Sequence, residues 1–159
     1  MMKRAHETVG FTLIELILVV GIFSLVFISS GVVFGNLIQK NSLDYHGYQL
    51  VQNLREARMN AVTQWRDSAC GLYFDTSALP HGYTVFKGNS FAGRDAAYDL
   101  SFELPEAVAI SQLDPGGFNE LVFGKSDGLP SVFGGLVLAA EDKTFSITVN
   151  SLGLADFDS

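Results

Sequence analysis

Glu15 is a lone carboxylate in an otherwise apolar stretch: Gly10-Phe11-Thr12-Leu13-Ile14-Glu15 is followed by no charged side chain until Lys40. An ionisable group in a bilayer costs about 2.5 to 3.5 kcal/mol on insertion scales and usually faces a partner, so Glu15 reads as a charge that seeks a cation. A glutamate near a helix start can instead snorkel to the aqueous interface.

Other residue sets invite a chemical reading. Gly124-Lys125-Ser126-Asp127-Gly128 matches G-x-S-x-G, the strand-to-helix turn that exposes a nucleophilic serine. The context opposes it, because Pro130 and a β-like run follow, and His6, His46 and His81 all lie upstream. The same Gly-Lys-Ser fails as a phosphate loop, since Asn119 stands where the first glycine is required. A plain turn is expected there. Asp114, Asn119, Glu120, Asp127, Asp156 and Asp158 offer the oxygens that calcium accepts, but no EF-hand spacing is present, and solvated turn acids are the expectation. No pair of histidines or cysteines has transition-metal spacing. No catalytic residue, metal or cofactor is therefore expected. Cys70, the only cysteine, lies in the apolar segment Ala69 to Phe74 and reads as a buried small hydrophobe.

The elements that would position Glu15 are a short leader and a long apolar run. Residues 1–10 carry Lys3 and Arg4, lack an apolar core and end in a small residue. An ordinary secretory signal is cut after its apolar region, whereas here the polar leader abuts the run directly. At about 1.5 Å per residue, a helix over 11–39 crosses a roughly 30 Å hydrocarbon core. The positive-inside rule then holds Lys3 and Arg4 in the cytoplasm and sends the chain after Lys40 to the far side.

Beyond the run, Leu43, Gly47, Leu50, Val51, Leu54, Ala57, Ala61 and Trp65 recur at spacings of three and four, which predicts an amphipathic helix over 40–66. A break near Asn41 to His46 is expected, and Gln52, Arg55, Glu56, Arg58 and Arg66 read as a solvated face. From Ala69 the period changes. Strands are predicted at 70–75, 83–87, 99–104, 108–112, 120–123, 135–139 and 145–149, separated by turn signals such as Leu79-Pro80-His81-Gly82 and Asp114-Pro115-Gly116-Gly117. The expected fold class is α+β: an N-terminal helix, transmembrane then amphipathic, packed on an antiparallel β-sheet head formed by 69–159.

Composition narrows the partners. The chain is acidic at net -7, and removing a leader with Lys3, Arg4 and Glu7 leaves eight basic against sixteen acidic residues. That balance disfavours nucleic acid and anionic membrane surfaces as general partners. About 120 residues remain beyond the apolar run, the size of one domain.

Gly10-Phe11-Thr12-Leu13-Ile14-Glu15-Leu16 resembles the class III signal of type IV pilins and type II secretion pseudopilins in order and spacing. The resemblance implies a pilin-like fold, cleavage by a prepilin peptidase between Gly10 and Phe11, N-methylation of Phe11, and pairing of Glu15 with the N-terminal amine of a neighbouring subunit during filament assembly. It implies a single-pass protein of the bacterial inner membrane, leader cytoplasmic and head periplasmic or extracellular, whose partners are the peptidase, the membrane and other pseudopilins or pilins. Leu54-Arg55-Glu56-Ala57-Arg58-Met59-Asn60-Ala61 and the strand pattern of the last third are similar to GspH/FimT-type minor pseudopilins. Many major pilins close their C-terminal region with a disulfide, which a single cysteine cannot form. Many also place a proline in the anchor helix, whereas this chain has none between Phe11 and Lys40 and carries Gly21, Gly31 and Gly35 instead.

A non-catalytic minor pseudopilin of a type II secretion filament is the expected function. A minor type IV pilin in pilus assembly, adhesion or DNA uptake is the alternative, although the acidic ending Asp156-Phe157-Asp158-Ser159 disfavours DNA there. A membrane-tethered enzyme is the remote one.

Overall fold

A computed structural model describes residues 12–114, 117–141 and 143–158, with the side chains of residues 26 and 28–41 outside the described set. The chain is α+β. Helix α1 (Leu13–Val62) precedes eight strands: β1 (Cys70–Asp75), β2 (Gly82–Lys87), β3 (Leu100–Glu103), β4 (Ala109–Asp114), β5 (Glu120–Phe123), β6 (Gly134–Ala140), β7 (Lys143–Val149) and β8 (Ala155–Asp158). The chain divides into two compact units, Met1–Leu37 and Ile38–Ser159.

In the first unit, Thr12 accepts from the Glu15 backbone N–H through its carbonyl (3.1 Å) and through Oγ1 (3.4 Å), which caps the helix start. Leu13, Ile14, Leu16, Ile17, Leu18 and Phe23 are all exposed. The expected span over 11–39 falls partly outside the described residues, and among the described ones no helix is long and apolar enough to cross a membrane.

In the second unit the expected stripe holds: Leu43, Leu50, Val51, Leu54, Ala57 and Ala61 are buried to within 1 %. The helix continues through 41–46, where a break was expected, and stops at Val62 rather than at 66. The stop is conformational. Gln64, Arg66 and Asp67 all take positive φ, which reverses the chain through a short 3-10 turn (Trp65–Asp67) and leaves Trp65 outside the buried stripe.

Seven of the eight strands lie where turn chemistry and β-rich runs place them, but the eight form two four-stranded antiparallel sheets instead of one. The orders are β3-β2-β1-β5 and β4-β6-β7-β8. After β3, the chain starts the second sheet with β4, returns to pair β5 with β1, then crosses back to β6. Both sheets contribute to one core with the helix: Leu72, Phe74, Tyr83 and Phe123 from the first, Leu138, Phe145 and Ile147 from the second. Because strand side chains alternate, β1 buries Cys70, Leu72 and Phe74 in that core while Tyr73 points to a second cluster with Phe86 and Phe91. The Tyr73 and Phe91 rings stack at 3.8 Å.

At Gly47 the helix lies close against the second sheet. A Cβ there would lie 2.6 Å from the Phe145 ring, which is fully buried and wedged against Tyr48 and Phe157. Lys143 Nζ donates to both Asp44 oxygens at 2.6 and 2.8 Å beside this approach, and on the first sheet Asn53 Nδ2 donates to Tyr83 Oη at 2.9 Å.

Candidate functional site

Of the residues expected to carry assembly chemistry, Gly10 and Phe11 lie outside the described residues. Glu15 sits in the first turn of α1, three residues after its cap. That position suits a carboxylate irrespective of any partner, since the helix N-terminus carries partial positive charge. Its neighbours distinguish the segment from an ordinary capped helix. Ile14 is 74 % exposed, Leu18 59 %, Phe23 58 % and Phe27 77 %, so the apolar side chains surround the helix rather than marking one face. A helix apolar all round belongs in a core, in a bilayer or among other helices. The described part of the segment is therefore an exposed apolar surface carrying one acid.

The serine motif is a turn. Ser126 has φ 77°, its backbone N–H donates to the Ala61 carbonyl at 3.0 Å, and Gly128 N–H donates to the Gly124 carbonyl at 2.9 Å. The loop thus gives a second donor to a carbonyl at the end of α1 that also accepts from Gln64 N–H at 3.2 Å, so this helix-terminal acceptor is fully engaged. His81 is engaged elsewhere, its Nδ1 accepting from Ile110 N–H at 2.9 Å.

The candidate calcium acids are dispersed. Glu120 accepts from the Phe91 backbone N–H at 2.8 Å, Asp127 from Leu129 N–H at 3.0 Å, and Asp156 from Phe157 N–H at 2.9 Å. Among the described residues no group of three or more His, Cys, Asp or Glu is placed to hold a metal ion. Cys70 is 3 % exposed in the core, and burial pushes its thiol pKa up, as expected of an inert small hydrophobe.

Arg55 is exposed and Arg58 half-buried, on the face expected to be solvated, yet both also bond across the fold. Arg55 donates through Nε and Nη2 to the Ala155 carbonyl at 3.2 and 3.0 Å, and Arg58 Nε donates to the Leu152 carbonyl at 3.1 Å. They tie the helix to the β7–β8 turn, where Gly153 has φ 76° and a Cβ would sit 2.5 Å from the Gly128 carbonyl. Strand β8 itself is absent from the sequence prediction. Its Ala-Asp-Phe-Asp carries acids at two of four positions, and only its pairing to β7 and the arginines behind it make it a strand. A groove of about 840 Å³ runs along this junction, bordered by Arg55, Met59, Leu154 and Phe157.

No protein-family model matches the chain, and no curated protein or solved structure matches it either.

Proposed function

We propose that the protein is a non-catalytic filament subunit, a minor pseudopilin of a type II secretion system. The observation that carries this reading is the N-terminal segment: a glycine, a phenylalanine and a glutamate at pseudopilin spacing, followed by apolar side chains that stay exposed around the helix. In this reading residues 1–10 are a cytoplasmic leader removed by a prepilin peptidase after Gly10, and Phe11 becomes the methylated N-terminus. Residues 11–39 hold the subunit in the inner membrane until assembly. The carboxylate of Glu15 then pairs with the cationic terminal amine of a neighbouring subunit, and the apolar flanks pack against neighbouring helices. Lipid and helix packing supply the cover that Leu16, Leu18 and Phe23 lack within the chain.

The second unit, a helix clamped on two antiparallel sheets, supplies the pilin-like head that the filament displays. Cys70 favours a pseudopilin over a major pilin, because a lone thiol sealed in the core cannot close the C-terminal region. A minor type IV pilin shares the same N-terminal chemistry and is distinguished by the system with which the subunit co-assembles.

The test is site-specific photocrosslinking from Ile17 in membranes that hold a complete set of pseudopilins and their peptidase. Crosslinks to other pseudopilins, lost when Glu15→Ala removes the carboxylate, are expected. Adducts to lipid alone, unchanged by Glu15→Ala, would refute the assembly role.

A further inference from the structure

A second concavity, of about 220 Å³, lies on the opposite sheet from the arginine-clamped groove, between α1, β2 and the segment that enters β3. Its walls are the rings of Trp65 and Tyr98, set edge to face at 82° with centroids 5.7 Å apart. Arg66, which does not line the cavity, fixes both rings: its guanidinium carbon is 5.0 Å from the Trp65 centroid and 4.5 Å from that of Tyr98, and Nη1 donates to Tyr98 Oη at 2.8 Å. The left-handed backbone of Gln64, Arg66 and Asp67 holds this arrangement, with Lys125 pairing to Asp67 beneath it. Strained non-glycine residues persist where the surroundings over-determine them, and they cluster at binding sites.

The polar groups are as telling as the rings. From the helix, Asn53, Glu56 and Asn60 reach the cavity at successive turns. Asn53 uses its amide nitrogen on Tyr83 and keeps its oxygen, while the Glu56 carboxylate, the Asn60 amide and the Trp65 indole N–H make no hydrogen bond among the described residues. Lys87 completes the rim, 3.7 Å from Asp95 and 4.9 Å from the Tyr98 centroid. Two aromatic walls, side-chain donors and acceptors, and charges of both signs, Glu56 on one side and Lys87 with its partner Asp95 on the other, suit a neutral ring with an apolar face and many hydroxyls. A cation would meet Lys87, and an anion would meet Glu56. The volume falls below the about 300 to 1,000 Å³ of drug-sized ligand sites, which limits the occupant to a single ring or the end of a chain.

We infer that this cavity is a carbohydrate-recognition site, which takes one pyranose unit of a glycan with its C–H face on Trp65 or Tyr98 and its hydroxyls on Asn53, Glu56 and Asn60. The inference is independent of the filament reading, since every residue in it belongs to the second unit. Trp65 is the only tryptophan in the chain, so its fluorescence reports on this cavity alone.

The experiment titrates the full chain, in a sugar-free polyoxyethylene detergent, with glucose, galactose, mannose and N-acetylglucosamine while Trp65 emission is recorded. Choline and inorganic phosphate serve as cationic and anionic probes. Saturable change with at least one sugar is expected, weakened about tenfold or more, or by roughly 1.4 kcal/mol, in both Asn60→Ala and Tyr98→Ala. Leu152→Ala, remote from the cavity, should leave it unchanged. Asn60→Ala removes only a side chain without a partner, so the test survives if Tyr98→Ala unfolds. No response to any sugar, a response to choline or phosphate alone, or a sugar response indifferent to Asn60→Ala would overturn the assignment.

Discussion

Leu16, Leu18 and Phe23 are more than half exposed, whereas Leu43, Leu50 and Leu54, later in the same helix, are at most 1 % exposed. The residue types are alike, and what differs is the spacing of polar residues among them. In the earlier segment no polar face interrupts the apolar one, so no single surface of the chain can cover it. In the later segment Gln52, Arg55 and Glu56 leave one stripe, and that stripe finds two sheets. The comparison teaches that one helical periodicity specifies two fates: self-contained burial where apolar residues occupy a stripe, and dependence on an external partner where they occupy the whole circumference. Glu15 belongs to the second kind of surface, and the assembly role proposed for it rests on that placement.

Substitutions can break this contrast. The largest effect is expected from Phe145→Ala, which empties the point where the helix, β7 and β8 meet. A loss of about 3 to 5 kcal/mol in the unfolding free energy of the head should appear in urea titration. Gly47→Val acts at the same contact from the helix side. With no room 2.6 Å from a fixed ring, it should cost about 1 to 3 kcal/mol by the same assay. Full stability in either variant would mean that the later stripe is not what holds the head together.

A pH experiment sharpens the contrast further. Burial, opposed in part by the hydrogen bond from Asn53, pushes the Tyr83 phenol from 10 up to about 12. The folded state thus keeps its proton longer than the unfolded state does. The resulting stability is complete below pH 10 and disappears as pH rises from 10 to about 12. Tyr83→Phe should flatten that alkaline decline in thermal-melt profiles, and an unchanged slope would contradict the burial of this side chain. The smallest effect belongs to the first unit. Ile17→Ala should shift head stability by no more than about 0.5 kcal/mol, as for surface substitutions generally, while changing crosslinking between subunits.

The sequence was most legible where chemistry is local. Leu79-Pro80-His81-Gly82 and Ser126-Asp127-Gly128 delimit strands because proline fixes the backbone at its own position while glycine and aspartate admit turn conformations, and the helical stripe is visible because its period is intrinsic to the chain. Pairing is not local. Nothing in β4 or β5 states that the first joins β6 and the second joins β1, so one expected sheet became two. Strand β8 and the roles of Arg55 and Arg58 were illegible for the same reason, each being defined by the other across roughly a hundred residues. Trp65 continued the helical spacing, yet three left-handed residues that are not glycine removed it from the stripe and set it in the wall of a cavity. Glu15 was legible as an anomaly, and its partner lies in another molecule in the proposed function.

The most direct test of that function is the intact mass and N-terminal sequence of the membrane-extracted protein, made with and without a prepilin peptidase. The account predicts a chain that begins at N-methylated Phe11 only when the peptidase is present. A chain that retains Met1 to Gly10 under both conditions would contradict it.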